Sequence, residues 1–258
     1  MKQKSKKTKT SNTIRLDTLL VDRGLAASRE RARALIVAGT VRVNGQPASK
    51  AGAPVTTDAD VTVLAPDHPY VGRGGVKLAH ALDVFSIPVA GRSALDIGAS
   101  TGGFTDALLQ RGVSRVVALD VGHGQLDWKL RNDPRVDVIE RINARSLTIA
   151  DLPPGRAPFD IITIDVSFIS LKLILPVVPP LLGDAGDVVV LVKPQFEAGR
   201  AEVGKGGIVR DEGVHARVLE EVTNAADALG LGREGAIESP ISGMEGNREF
   251  LLHLRMRT

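Results

Sequence analysis

The chain has 258 residues, longer than one typical domain but not by enough to assign two from length alone. At 43% hydrophobic and 24% charged it has a globular balance, which excludes a disordered polymer, a collagen-like repeat and a coiled-coil rod. Cysteine is absent, so disulfide staples, thiol catalysis and cysteine-based metal sites are excluded, in keeping with a reducing, cytoplasmic setting. The net charge of +3 is unevenly spread. Residues 1–70 carry twelve Lys or Arg against six Asp or Glu, whereas residues 71–258 carry twenty-one against twenty-four. A small basic front end on a mildly acidic body suits a polyanion-binding module attached to something else.

Residues 1–13, MKQKSKKTKTSNT, lack the apolar content to fold and have no apolar segment behind them, so they read as a basic tail and not a secretory signal. Leu16, Leu19 and Leu20 then recur at helical spacing up to Gly24. Ser28 is placed to cap a second helix that buries Ala32, Leu35 and Ile36 and stops at Gly39. Arg29 and Arg33 lie one turn apart, away from that stripe. VRVNGQPA reads as strand, Asn44-Gly45 turn and returning strand, and Asp60 to Leu64 as a last strand. This order of helices, arginines and turn over about residues 15–64 resembles the alpha-L RNA-binding motif. The resemblance implies a small α+β domain over residues 14–65 that contacts RNA through Arg15, Arg23, Arg29, Arg33 and Arg42.

PDHPY opens a linker at residues 66–72, where prolines keep their preceding residues extended. Over residues 73–258 apolar strands alternate with helices: SALDI, RVVALD, VDVIE, FDIITID and DVVVLVK, then a long helix at 211–229 and two closing strands. LKLILPVV stands where the alternation calls for a helix. Such a pattern predicts an α/β fold with a mostly parallel seven-stranded sheet covered by helices. No run of about eighteen apolar residues occurs, which excludes a spanning helix.

The first of these strands runs into DIGASTGGFTD, where Gly98, Gly102 and Gly103 permit a tight turn and close approach of a ligand. The spacing does not match the dinucleotide fingerprint G-x-G-x-x-G. It resembles the S-adenosylmethionine loop of Rossmann-like methyltransferases. Asp120 ends the second strand, where a carboxylate can accept both ribose hydroxyls. That resemblance implies a cofactor side made of Asp96, Gly98, Ala99, Ser100, Gly102, Gly103, Phe104, Asp120, Asn143 and Asp165.

Three further polar residues, Lys77, Lys193 and Glu249, fall near strand or helix ends and join Asp165. In chain order the four resemble the tetrad of FtsJ-type ribose 2′-O-methyltransferases. The blocks YVGRGGVKL, DVGHGQLDWKLRNDPRV, DVSFISL, VKPQFE and GNREF resemble the TlyA-type proteins, which join an alpha-L motif to an FtsJ-like domain. The resemblance implies S-adenosylmethionine-dependent methylation of a cytidine 2′-hydroxyl in ribosomal RNA within a ribosomal subunit, without a metal. Lys193 is the residue expected at the hydroxyl. A neutral lysine serves as base, a cationic one stabilises the alkoxide, and nearby carboxylates favour the charged form. Both roles stay open.

The loop 194–211 is placed as a lid, with Phe196 expected to pack. Trp128 and His123 are expected to line the adenosine side or the core. The TlyA-type family also carries a haemolysin label, but no secretion signal or amphipathic lysine-rich helix supports a membrane-active toxin. An inert RNA-binding assembly factor is the other alternative, and it has no need for paired lysines at strand ends. The chain stops directly after its last strand, which favours the shorter TlyA type and the large subunit.

Overall fold

The computed structural model describes residues 13–26, 28–48, 50–64, 68–243 and 246–257. Most of the basic tail, residues 1–12, together with residue 65 and residues 66–67 of the linker, lies outside the described residues. Two compact units result, Met1–Ala65 and Pro66–Thr258.

The first unit runs β1 (Thr13–Arg15), α1 (Leu16–Asp22), α2 (Arg29–Val37), β2 (Val41–Val43), β3 (Gln46–Pro47), β4 (Pro54–Thr56) and β5 (Val61–Val63). Ser28 caps α2 as expected, its Oγ accepting from Arg31 N at 3.1 Å. Asn44 and Gly45 both have positive φ, 50° and 78°, the hairpin turn that matches strand twist. β2 pairs with β3 and β5, and Leu16, Leu20, Ile36 and Val41 are buried together behind them. Leu35 is only partly buried. A second ribbon, β1 antiparallel to β4, was not expected, because three-residue strands show no alternation to read.

The second unit runs α3 (Gly74–Val84), β6 (Ser93–Ile97), α4 (Gly103–Gln110), β7 (Arg115–Asp120), α5 (Trp128–Arg131) and β8 (Val136–Glu140). β9 (Phe159–Ile164), β10 (Leu182–Val192), α6 (Pro194–Glu197), α7 (Glu212–Asp227), β11 (Leu231–Glu238) and β12 (Phe250–Met256) follow. The seven strands lie in the order β11-β12-β10-β9-β6-β7-β8. β12 is antiparallel to both of its neighbours, and the pairs from β10 to β8 are parallel. One face buries Leu95, Val117, Ile162 and Val190, the other Ala94, Val116, Ile161 and Val189. Burial on both faces explains why these strands read as unbroken apolar runs.

The helix expected at LKLILPVV is absent. Three 3-10 turns, Leu171–Leu173, Leu175–Val177 and Pro179–Leu181, stand there. Pro176, Pro179 and Pro180 lack the N–H that a continuous i→i−4 ladder requires, so only single turns form. From β6 the chain goes first to β7 and later returns to β9 on the opposite side. This reversal opens a crevice at the carboxyl ends of β6 and its neighbours.

Candidate active site

The loop after β6 meets the segment before α3 with almost no side chains between them. Gly98 has φ 86°, and a Cβ there would lie 2.9 Å from the Asp165 carbonyl carbon. Gly103 packs against the backbone of Gly72, Gly74 and Gly75. The glycines of GRGG and STGG therefore serve one end: two backbone segments come into direct contact. Phe104 is buried against Gly74 in the core, and Ala99 is buried as well.

Ser100, itself at φ 50°, donates its N–H to Asp120 Oδ2 at 2.8 Å. Gly122 donates to Asp120 Oδ1 at 2.6 Å. Each carboxylate oxygen keeps a lone pair for a ligand. Glu140 is in register with Asp120 on β8. It accepts from Gly124 N at 2.9 Å and pairs with His123 and Arg131. A shallow cleft opens here, lined by Ala99, Ser100, Asp120, Leu126, Ile139 and Glu140. Apolar walls beside two carboxylates suit a flat base carrying a diol. Asn143 lies just beyond β8, exposed, its side chain accepting from Arg145 N at 3.0 Å.

The four tetrad candidates come together as two ion pairs. Because β12 runs antiparallel, its start lies beside the end of β10, with Phe250 opposite Val192. Glu249 and Lys193 therefore flank one ladder end, and Asp165 follows the adjoining β9. Lys193 Nζ lies 2.5 Å from Asp165 Oδ1 and donates to Ser167 Oγ at 2.9 Å. Lys77, on α3, pairs with Glu249 in a buried contact. Both lysines and Glu249 are buried, whereas Asp165 is partly open. Asp165 N donates to Ile97 O at 2.9 Å, so the tetrad and the glycine loop share a backbone contact.

Residues 70–256 match the model of the FtsJ-like methyltransferase family, and residues 14–61 match the S4 domain. The chain belongs to the FtsJ-like methyltransferase family. A candidate rRNA methyltransferase of Bacillus subtilis, YqxC, is 52% identical over 95% of this chain and 86% of its own length. The 16S/23S rRNA (cytidine-2′-O)-methyltransferase TlyA of Mycobacterium tuberculosis is 49% identical over 95% of this chain and 90% of its own. A solved structure described as a candidate hemolysin from Streptococcus thermophilus superposes with a TM-score of 0.74 at 44% identity, covering 96% of this chain and 90% of that one.

Within this FtsJ-like methyltransferase several residues sit where the sequence did not indicate. Trp128, expected to line the adenosine side or the core, is 77% exposed on α5, and His123 is on the surface bound to Glu140. Of the two places expected for Trp128, the core is excluded, because a one-turn helix has too little area to cover an indole. Phe196 does pack, with its ring centroid 5.0 Å from that of Phe168. Phe168 was missed. It is 91% exposed beside the Lys193 pair and holds φ 64°, a strained conformation that a phenylalanine rarely adopts. Ser167 was missed too, since a serine in a short turn carries no pattern of its own.

Asp96 lies under the glycine loop, fully buried, accepting from Thr105 Oγ1 at 2.6 Å and Thr163 Oγ1 at 2.9 Å. Burial pushes its carboxyl from 3.8 up to about 6, against the pull of the two hydroxyls. A raised carboxyl favours the fold while protonated, and that support is lost as pH rises through about 6. Asp96→Asn, which cannot ionise, is therefore expected to gain stability relative to the parent between pH 4 and 7, by on the order of 3 kcal/mol at most. Urea melts across that range test it; a constant difference would mean that Asp96 ionises freely.

In the S4 unit Arg23 donates to the carbonyls of Thr57 and Ala59, both at 2.7 Å, and Arg42 to that of Gly45 at 3.0 Å. Arg15, Arg29 and Arg33 converge on the buried Asp17. The expected cationic face of α2 is thus tied to a carboxylate on α1.

Proposed function

We propose that this chain transfers the methyl group of S-adenosylmethionine to a cytidine 2′-hydroxyl of ribosomal RNA. The observation that carries the reading is the Lys193–Asp165 and Lys77–Glu249 cluster in backbone contact with the glycine loop. The cofactor supplies an electrophilic methyl group when bound. Asp120 and Glu140 would hold its ribose, and Leu126 and Ile139 would cover its base. Lys193 meets the hydroxyl. Asp165 pairs with its ammonium by charge and Ser167 accepts a hydrogen bond from it, which supports the cationic role, stabilising the oxygen as negative charge develops. Asp165, the most open of the four, is then the acceptor for the departing proton. Exposed Phe168 offers a stacking face to a nucleobase beside that oxygen.

The single-turnover pH profile separates the two roles of Lys193. A cationic stabiliser with a carboxylate acceptor predicts a rate that is level from neutral pH upward and falls in acid. A neutral lysine base predicts a rate that climbs into the alkaline range.

Asp120→Ala is expected to weaken S-adenosylmethionine by about 1.5–3 kcal/mol, since it removes a charged acceptor and frees the Ser100 and Gly122 amides. Calorimetric titration reads the change, and an unaltered affinity removes Asp120 from the cofactor side.

The whole reading is tested by transfer of labelled methyl to assembled and late-assembling ribosomal subunits, followed by nucleoside analysis. Label as 2′-O-methylcytidine is expected. Label confined to the large-subunit RNA supports the narrower expectation, and label on both RNAs supports the broader one. Such a substrate implies work in the cytoplasm. Among the described residues no helix is long and apolar enough to cross a membrane, and no cluster of three or more His, Asp or Glu is arranged to hold a metal. A red-cell lysis assay on the same preparation, with lysis in the absence of methyl transfer, would favour the toxin reading.

A further inference from the structure

The side chain of Asp17 is fully buried at the start of α1. Its own N–H donates to Ala51 O at 2.9 Å, which anchors it from below. Arg15 grips the carboxylate as a fork, Nε to Oδ1 at 3.0 Å and an amino nitrogen to Oδ2 at 2.7 Å. Arg29 and Arg33 reach Oδ2 at 3.3 and 3.4 Å from successive turns of α2. The Arg15 guanidinium also packs against Gly52, where a Cβ would stand 2.9 Å from it. All three arginines remain about half exposed.

One carboxylate against three guanidiniums leaves a local charge of about +2, and the carboxylate engages only a minority of their N–H donors. Three like charges would otherwise splay apart and sample many rotamers. Asp17 removes part of that repulsion and fixes the planes before any ligand arrives. A phosphodiester, whose free oxygens can each take a guanidinium edge, is the ligand class that such a cluster fits. Ordering three long side chains in advance also lowers the entropy cost of binding.

We infer that Asp17 is a positioning residue that presets Arg15, Arg29 and Arg33 as one phosphodiester-binding cluster for the RNA backbone. The inference rests on the proposal that this chain acts on RNA. Its distinguishing feature is a sign. Asp17→Asn makes the unit more basic by one charge, so general attraction to a polyanion predicts tighter binding. Loss of positioning predicts weaker binding despite the added charge.

The experiment uses the full chain with deproteinised ribosomal RNA, filter binding over a potassium chloride series, and a thermal melt of each variant. Asp17→Asn is expected to bind about fivefold more weakly at the lowest salt. Equal or tighter binding overturns the inference. Should Asp17→Asn melt below the assay temperature, Arg29→Lys with Arg33→Lys carries the test. These sites are half exposed, the charge is kept and only the planar fork is lost. Weaker binding is again expected, and parental binding overturns the inference. A parent chain that binds RNA in this salt series yet transfers no methyl group would sink the proposed reaction and leave the cluster standing. A parent that binds no RNA sinks both.

Discussion

Lys193→Ala is expected to lower single-turnover methyl transfer by on the order of a hundredfold or more. The ammonium is held within 2.5 Å of Asp165 and 2.9 Å of Ser167, and no other lysine among the described residues is bound to this turn. Truncation leaves Asp165 without its counter-ion, but that carboxylate is partly open and water can solvate it. Folding and S-adenosylmethionine affinity should therefore hold. The cleft beside Asp120 is built from the ends of β6, β7 and β8, across the sheet from β10. Near-parental single-turnover rates would falsify a catalytic role for the lysine.

Gly98→Ala is expected to destabilise the second unit by about 3 kcal/mol or more, the sum of a left-handed alanine and a forced shift of packed backbone. The added methyl meets the Asp165 carbonyl, a backbone group that cannot rotate away. Cofactor affinity should fall with stability, because that same contact joins the glycine loop to the tetrad. Gly155 provides the control. It has φ 73° with nothing within 4 Å of an added Cβ, so Gly155→Ala incurs only the conformational part. Equal melting curves for the two variants would show that the close approach at Gly98 carries no strain.

The parallel strands of the second unit were legible because their two-sided burial leaves unbroken runs such as VVVLV and IITI, and the glycine loop because it follows one of them. The 3-10 turns at 171–181 were less so: apolar content there resembles a helix, and only the prolines argue otherwise. β1 and β4 are too short for any periodicity. At the site, the resemblance of whole blocks pointed to Lys77, Asp165, Lys193 and Glu249, whose proximity depends on sheet order and on the reversed direction of β12. Ser167 and Phe168 gave no signal, since their placement comes from a backbone turn at positive φ. Asp17 reads as an ordinary acidic residue in a first helical turn. Two of its three arginine partners come from α2 and the third is the residue before α1, which is a tertiary fact.

The reversed β12 also bears on when the protein can act during its own synthesis. Lys77 and Glu249 are 172 residues apart, and β12 must insert between β10 and β11 before they can meet. A nascent chain that has emerged as far as α7 already carries the glycine loop, both lysines and Asp165, yet the pair that closes the cluster is missing. Such a chain is made on a ribosome, amid the kind of RNA it is proposed to modify. Placing the last contributor on an internal, late-emerging strand means that the Lys77–Glu249 pair forms only after nearly the whole chain has been made, when β12 enters the sheet.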